Sequence, residues 1–337
     1  QTFDSRSPAD GRVVATFPVM DATAVGEIVD RARIAANWWG GLTFGERRRY
    51  LMRFKSIVAR RSAELAELVH QENGKPTDDA LLEILLSVEH IDWAAKHAEK
   101  VLKQRKVATG MLSMNQDARL AYQPLGVIGI IGPWNYPVFT PIGSIAYALA
   151  AGNALVYKPS EYTPAVGEWL IDAIQEAIPD QPVAQLVTDA GETGAALCNS
   201  GVDKVAFTGS GPTGRKVLKE CAQTLTPVTL ELGGKDAVLV DASADLEKAA
   251  DAVTFGAYHN AGQTCAGVER VYVHEAVYHE FLDRVAAKTR ALTPGTTRDA
   301  SYGPMTMPTQ IDVVRRHVLD AMARGGQAVV GGPESVG

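Results

Sequence analysis

The amino-acid sequence predicts an α/β fold with a parallel sheet, N-terminal helices and a second α/β block that is too short to be complete. Three observations predict it. From Tyr122 onward, short apolar runs without charges alternate with helical segments, which is typical of parallel strands covered on both faces. About the first 100 residues instead carry the spacing of amphipathic helices. A length of 337 residues corresponds to about two domains.

Composition and charge exclude several classes of protein. The chain is 46% hydrophobic, which is enough for a large core, so disorder is excluded. Its 33 basic and 39 acidic residues give a net charge of -6, and no overall basic field draws in nucleic acid or an anionic membrane. Three cysteines without a CxxC pair indicate a reducing compartment, and the first residues carry no signal-peptide pattern, so we expect a cytoplasmic location.

A long stretch without charges, residues 120–157, raises the question of a membrane span. Pro124, Pro133, Pro137 and Pro141 divide it into pieces shorter than the ~20 apolar residues that a spanning helix needs. We therefore predict buried strand, loop and helix here, and no membrane association.

The N-terminal helices are predicted from apolar residues at helical spacing. Asp21 is the expected cap of the first helix, and Gly74 and Pro76 end a later one. A long helix then covers residues 81–102. Several aromatic and His side chains of these helices are interpreted as packing or surface groups and not as ligands: Trp38, Trp39, Trp93, His90 and His97.

A Rossmann-like alternation of strands and helices occupies the middle of the chain. The predicted strands are residues 127–131, 154–157, 185–187, 205–207 and 228–230. The predicted helices are residues 142–150, 164–177, 192–199 and 212–224. The block after Gly233-Gly234 is predicted to contain strands 237–240 and 268–273, helices 246–259, 275–291 and 307–324, and a strand-like run at 328–330. This alternation makes dinucleotide binding the leading possibility.

A glycine-rich turn follows one of the predicted strands. Thr208-Gly209-Ser210-Gly211-Pro212-Thr213-Gly214 opens a helix, whose free N–H groups and positive dipole end suit a pyrophosphate. The turn is neither GxGxxG nor a P-loop, which disfavours kinases and ATPases. For this motif taken alone, a turn that binds no ligand is an equal alternative.

Lys158-Pro159-Ser160-Glu161 follows another predicted strand, at the end where α/β sheets bind ligands. A carboxylate there can accept both hydroxyls of an adenosine ribose, and Glu161 would repel a 2′-phosphate. The motif therefore favours NAD, with NADP still possible. A solvated Lys/Glu pair on a loop is the alternative.

Cys265 is the candidate nucleophile. It stands in a polar loop, Asn260-Ala261-Gly262-Gln263-Thr264-Cys265, which is typical of reactive thiols, whereas Cys198 and Cys221 fit helix positions. Glu231 ends an apolar strand at a glycine pair, where we expect partial desolvation to raise its pKa towards that of a general base. The alternatives are an inert cysteine and a strand-end charge that Lys235 neutralises.

No metal site is predicted. His274-Glu275 and His279 are similar to HExxH, but the two histidines lie five residues apart, about 140° around a helix, so they do not share a face. The other His and Cys residues lack the spacing of metal ligands.

Taken together, these segments resemble the aldehyde dehydrogenase superfamily. The motifs that carry the resemblance span essentially the whole chain in the family's order: Pro124-Leu125-Gly126-Val127, Gly132-Pro133-Trp134-Asn135-Tyr136-Pro137, Gly152-Asn153, Lys158-Pro159-Ser160-Glu161, Phe207-Thr208-Gly209-Ser210, Glu231-Leu232-Gly233-Gly234-Lys235 and Gly262-Gln263-Thr264-Cys265. The resemblance implies oxidation of an aldehyde to its carboxylic acid with NAD, through a thiohemiacetal and a thioester on Cys265.

The resemblance also implies residue roles. Cys265 is the nucleophile, Glu231 the general base, and the Asn135 amide with the Cys265 backbone N–H forms the oxyanion hole. The implied cofactor-binding residues are Lys158, Glu161, Ser210, Trp134, Gly209, Gly214 and Gly233. The implied domains are an NAD-binding domain over residues 1–105 and 125–233, a bridging and oligomerisation arm over 106–124, and a catalytic domain over 234–337. The implied assembly is a homodimer or homotetramer when the chain is full length.

Members of the family normally continue well past this chain, with a segment that binds the nicotinamide ribose, so we expect a partial record of a longer protein.

Two alternatives to the aldehyde-oxidising enzyme remain open at this point. The first alternative is a truncated, non-catalytic protein that binds nucleotide or forms oligomers. The second is a coenzyme A acylating enzyme, which the presence of Glu231 disfavours because acyl transfer to coenzyme A needs no water-activating carboxylate.

Overall fold

The computed structural model describes residues 1–297 and 300–336, and it begins with a β-hairpin. Strand β1 (Thr2–Arg6) pairs antiparallel with β2 (Val13–Pro18). The prediction that this part of the chain is helical is wrong for these residues. Only Ser5 and Phe17 are buried in the two strands, so the sequence carries little of the alternation that would predict a hairpin.

Four helices follow the hairpin. They are α1 (Ala22–Gly41), α2 (Phe44–Arg60), α3 (Ser62–Asn73) and α4 (Thr77–Leu102). The predicted cap is confirmed, since the Asp21 side chain accepts the backbone N–H of Ala24. Helix α2 lies in the region predicted to be helical, but its start, where Thr43 and Glu46 form a capping box, was not identified from the sequence.

Helix α3 ends at Gly74, as predicted, in a conformation that requires glycine. Its φ of +88 is in the left-handed region. A Cβ atom there would also lie 2.8 Å from Pro8 Cγ and 2.9 Å from Pro304 Cγ. The chain therefore turns here between two distant segments that both press against its backbone.

The segment predicted to be an arm forms a second antiparallel hairpin, β3 (Arg105–Val107) with β4 (Ala118–Leu120). Between the strands, Met111, Leu112 and Met114 are 85%, 100% and 76% exposed. Large apolar side chains at such exposure are typical of a surface that another element covers.

A parallel five-stranded sheet forms the centre of the molecule, as predicted. Its strands are β5 (Val127–Ile131), β6 (Ala154–Lys158), β7 (Ala184–Leu186), β8 (Lys204–Gly209) and β9 (Val228–Leu232), in the order β7-β6-β5-β8-β9. The helices between them are α5 (Phe139–Ala150), α6 (Pro164–Ala177), α7 (Gly191–Asn199) and α8 (Gly211–Ala222). Every residue of β5 and β6 is buried, which explains why the sequence there is almost free of charge.

The strand order determines where a ligand can bind. The chain moves outward from β5 through β6 to β7, and then returns to the other side of β5 with β8. Ligands of open α/β sheets bind beyond the carboxyl ends of the strands at such a reversal. The loops after β5, β6 and β8 share that edge.

The last block is small. Strands β10 (Asp236–Val240) and β11 (Val268–Val273) pair in parallel, and helices α9 (Leu246–Tyr258), α10 (Tyr278–Arg290) and α11 (Thr309–Ala323) accompany them. Val240, Ala250, Val253 and Phe281 form its core, separate from the main one. This small core is distinct from the main core, and the domain boundary near residue 234 stays a prediction.

The strand predicted at 328–330 is wrong. These residues form bends and irregular chain between two glycine pairs, Gly325-Gly326 and Gly331-Gly332. A single strand is not stable without a partner for its backbone groups, and glycines on both sides weaken it further.

Among the residues that the structure describes, none of the helices combines the length and hydropathy needed to cross a bilayer.

Candidate active site

Cys265 lies in an exposed loop, and the chain enters that loop through an unusual backbone turn. Asn260, Ala261 and Gly262 have φ values of 53, 56 and 73, so three consecutive residues are left-handed. For alanine this conformation is strained, at a cost on the order of 1 kcal/mol or more. Such strain persists only where surrounding contacts hold it, and it is frequent at functional sites.

Asn135, in the loop after β5, contacts the cysteine loop directly. Its Nδ2 donates to the carbonyl oxygen of Gln263 at 2.8 Å. The neighbouring Tyr136 hydroxyl lies 3.0 Å from Thr264 Oγ1, and burial raises the pKa of Tyr136 to about 12, so this hydroxyl stays protonated at neutral pH. Two of the predicted catalytic residues, Asn135 and Cys265, therefore stand on loops that are bonded to each other.

Glu231 lies at the end of β9 with its side chain exposed. The expectation that strand-end burial would desolvate this carboxylate is wrong for the described chain, because only alternate residues of this edge strand are even partly covered. Lys235 does not neutralise it either, since Lys235 pairs with Glu269. The segment that follows Glu231 nevertheless passes close to the cysteine loop, because a Cβ atom built on Gly234 would lie 3.7 Å from the Cys265 carbonyl oxygen.

The other two cysteines are structural, as predicted. Cys198 in α7 and Cys221 in α8 are fully buried. Burial raises the pKa of both thiols, which keeps them protonated and unreactive. Cys265 is the exposed thiol of the three.

The predicted ribose-binding residues lie at the carboxyl end of β6. Lys158 is buried, its Nζ donates to the Pro159 carbonyl oxygen at 3.0 Å, and burial lowers its pKa. Glu161 is exposed and accepts a hydrogen bond of 3.1 Å from Ser160 Oγ. An exposed carboxylate beside a buried cation at this edge fits a ligand with hydroxyl groups, such as a ribose.

The glycine-rich turn lies at the carboxyl end of β8. Ser210 caps α8 and accepts the N–H of Thr213. A Cβ atom on Gly209 would lie 2.6 Å from Phe207 Cζ, and one on Gly214 would lie 2.9 Å from Leu232 Cδ2. A side chain at Gly209 would therefore clash with the buried Phe207 ring, and one at Gly214 would displace the end of the exposed Leu232 side chain. Gly211, at the first position of α8, faces open space where a phosphate could approach.

Trp134 and Gly233 complete the set of predicted cofactor-binding residues. The Trp134 carbonyl oxygen accepts from Asn73 Nδ2 at 2.8 Å, and its side chain is half-buried in the loop after β5. Gly233 is exposed after β9, and a Cβ atom there would meet nothing within 4 Å. The helix N-terminus, the Glu161 carboxylate and the reversal of strand order together fit a dinucleotide along this edge.

The polar residues beneath these loops were not predicted from the sequence. Asn73, Lys75 and Glu83 are almost completely buried, and all three bond to the segment around Asn135. The run Glu72-Asn73-Gly74-Lys75-Pro76 was used only as a helix stop. The signal that could have found it is a carboxylate, an amide and an ammonium group within five residues at the turn between α3 and α4.

Comparisons with known proteins show what this chain is similar to. Residues 1–337 match the sequence model of the aldehyde dehydrogenase family. A 4,4'-diapolycopene aldehyde oxidase from Methylomonas sp is 37% identical over 97% of this chain and 62% of its own length. The crystal structure of an E. coli NADP dependent enzyme has a TM-score of 0.94 at 31% identity, covering 98% of this chain and 69% of that one. An NAD-dependent aldehyde dehydrogenase from Sinorhizobium meliloti has a TM-score of 0.91 at 32% identity, covering 96% and 65%. This chain thus spans between 62% and 69% of the length of these proteins.

Proposed function

Since the chain belongs to the aldehyde dehydrogenase family, we propose that it oxidises an aldehyde to a carboxylic acid, with Cys265 as the nucleophile and NAD as the cofactor. One observation carries the proposal: the Asn135 amide is bonded at 2.8 Å to the loop that presents the exposed Cys265 thiol. A reactive thiol and a hydrogen-bond donor on adjoining loops are the elements that nucleophilic attack on a carbonyl requires.

The mechanism follows from these groups. The Cys265 thiol gives its proton to solvent, and the thiolate sulfur forms a bond to the aldehyde carbon while the carbonyl electrons move to oxygen. The Asn135 amide has two N–H groups; one is held by Gln263, which leaves the other for the oxyanion. NAD, when bound, supplies the acceptor for the hydride that leaves the former aldehyde carbon. Glu231 then takes a proton from the water that hydrolyses the Cys265 thioester.

We expect Asn135→Ala to slow the first burst of NADH by about 10² to 10³-fold, because removal of one oxyanion donor has that effect in comparable sites. Stopped-flow absorbance of NADH measures it. Asn199→Ala, which removes a surface amide on α7, is the matched control and should leave the burst unchanged. A burst in Asn135→Ala as fast as in the wild type would show that this amide does not stabilise the oxyanion.

The preference for NAD over NADP is proposed from the Glu161 carboxylate, which would accept the ribose hydroxyls and repel a 2′-phosphate. Related proteins use either cofactor: the E. coli enzyme is described as NADP dependent and the Sinorhizobium meliloti enzyme as NAD-dependent. A nicotinamide cofactor is common to both. Lys158 would hold the same ribose, while Ser210, Trp134 and the glycines 209, 214 and 233 would line the pyrophosphate side.

Glu161→Ser should lower the ratio of kcat/KM for NAD to kcat/KM for NADP by about 10-fold or more. The variant loses two hydrogen bonds to the ribose of NAD, and it no longer repels the 2′-phosphate of NADP, so both effects lower the ratio. Initial rates with each cofactor at a fixed aldehyde concentration give this ratio. Glu176→Ser, on the exposed face of α6, is the control. An unchanged ratio in Glu161→Ser would remove Glu161 from its proposed role.

The assembly and setting are proposed as well. The apolar tip of the β3–β4 hairpin supports the role of residues 106–124 as an arm that joins subunits of a homodimer or homotetramer. The acidic net charge of -6 disfavours nucleic acid and anionic membranes as partners, and we propose a small aldehyde as the partner and the cytoplasm as the location.

One assay tests the proposed function. The full-length protein is incubated with NAD and a panel of aldehydes, and NADH is followed by absorbance. Formation of NADH and free acid without coenzyme A supports the proposal. Product only in the presence of coenzyme A would instead identify an acylating enzyme, and NAD binding without product from any aldehyde would identify a nucleotide-binding protein.

A further inference from the structure

A buried ion pair, Lys75 with Glu83, lies directly behind the candidate active site. We propose that Lys75 and Glu83 are positioning residues that hold the loop of Asn135 in the geometry needed for attack by Cys265. The inference rests on the proposed function, because it assigns these side chains a part in the same reaction.

Lys75 holds the beginning of this loop. Its Nζ donates to Glu83 at 2.6 Å and to the Asn135 carbonyl oxygen at 2.8 Å. The same ammonium lies 4.1 Å from the centre of the Tyr136 ring. A single cation thus contacts both the residue that supplies the oxyanion donor and its neighbour that bonds to Thr264.

Glu83 holds the end of the same loop. One carboxylate oxygen accepts the Val138 N–H at 2.7 Å and the Phe139 N–H at 3.0 Å, at the start of α5. The other oxygen accepts from Lys75. The carboxylate therefore binds free N–H groups of a helix N-terminus, where a negative charge is favourable.

A second contact joins the pair to the cysteine loop. Asn260 Nδ2 donates to the Asn135 carbonyl oxygen at 3.0 Å, so this oxygen accepts from Asn260 and Lys75 together. Asn260 is also the first of the left-handed residues before Cys265. A shift of Lys75 would therefore change the position of the oxyanion donor Asn135 and also that of the strained turn that presents the thiol.

Stability alone is a poor explanation for this pair. Both side chains are 0% exposed, and a buried ion pair often gives no more stability than apolar residues of similar volume. What apolar residues cannot supply is a donor to the Asn135 carbonyl and an acceptor for two N–H groups of the next turn. The arrangement therefore favours a geometric role, since it fixes both ends of one short loop through directional bonds.

The double variant Lys75→Met/Glu83→Gln tests this role without leaving an unpaired buried charge. The amide oxygen introduced at position 83 can still accept the loop N–H groups, while the donor to Asn135 is lost. Lys55→Met/Asp92→Asn is the matched control, because it removes a less buried ion pair of 2.7 Å between α2 and α4. Each protein is assayed for its unfolding midpoint, its NADH burst, its KM for NAD, and hydrogen–deuterium exchange of peptides over 134–139 and 259–265.

We expect Lys75→Met/Glu83→Gln to keep an unfolding midpoint and a KM for NAD close to those of wild type. Its NADH burst should slow at least 10-fold, and hydrogen–deuterium exchange should rise only in the segments 134–139 and 259–265. An unchanged burst without local exchange, or an equal loss in the control, overturns the proposal. If the double variant does not fold, Lys75→Gln/Glu83→Gln, which also leaves no unpaired buried charge and replaces the ammonium donor by a shorter amide, is held to the same outcomes. If wild-type protein forms no NADH with any aldehyde, the proposed function fails, and the exchange data alone then decide whether the pair holds the loop.

Discussion

Cys265→Ala is expected to lower the rate of NADH formation with every aldehyde by a factor on the order of 10⁴ or more, because removal of a catalytic nucleophile has that effect in characterised enzymes. Without the sulfur there is no covalent adduct, and hydride cannot leave from the free aldehyde. The exposure of Cys265 in its loop makes this substitution structurally mild, so the protein should remain folded.

Cys221→Ala is the control for this experiment, because it removes a buried thiol outside the site. It should retain activity with a small loss of stability. Intact mass after treatment with iodoacetamide provides a second readout: one rapid modification is expected in wild type and in Cys221→Ala, and none in Cys265→Ala. NADH formation by Cys265→Ala at the wild-type rate would remove this residue from the mechanism.

Glu231→Gln is expected to give a burst of NADH followed by slow turnover. The first step needs only the thiolate and the oxyanion donors, so the burst persists. Hydrolysis of the thioester needs a base to take a proton from water, and loss of such a base slows the step by about 10² to 10⁴-fold. Rapid mixing followed by steady-state absorbance separates the two phases.

A direct test of this assignment is chemical rescue. Hydroxylamine attacks a thioester without an added base. Because it also condenses with free aldehyde, it is added to the acyl-enzyme after the burst and removal of the aldehyde, and it should then release the hydroxamate and the free Cys265 thiol in Glu231→Gln. Glu269→Gln, a nearby exposed carboxylate on β11, is the control and should show neither the burst pattern nor the rescue. Steady-state turnover of Glu231→Gln at the wild-type rate would show that Glu231 is not the general base.

Local patterns predicted much of this structure correctly. The cap at Asp21 and the stop at Gly74 depend on residues within one helical turn, so they can be read from neighbours in the chain. The uncharged strands β5 and β6 were predicted because burial on both faces leaves a compositional mark. The same kind of pattern was wrong at 328–330, where none of the described strands pairs with the apolar run.

Other features depend on how distant parts of the chain are placed. The exposure of Glu231 depends on the edge position of β9 in the sheet and not on its own neighbours in the sequence. The polar support beneath the site joins residues far apart in the chain: Lys75 and Asn135 are 60 positions apart, and Asn135 and Gln263 are 128 apart. Such pairs leave no periodicity that a sequence could display.

The sequence by itself determined the α/β class, the parallel strands, the candidate nucleophile Cys265 and its candidate partners Asn135 and Glu231, because each depends on local composition or on a motif. Only the tertiary structure decided that the loops of Asn135 and Cys265 are bonded to each other and that a buried cation and carboxylate support them. The physical reason is that hydrogen bonds and ion pairs act over a few ångströms in space, and only the folded chain brings those distant positions so close.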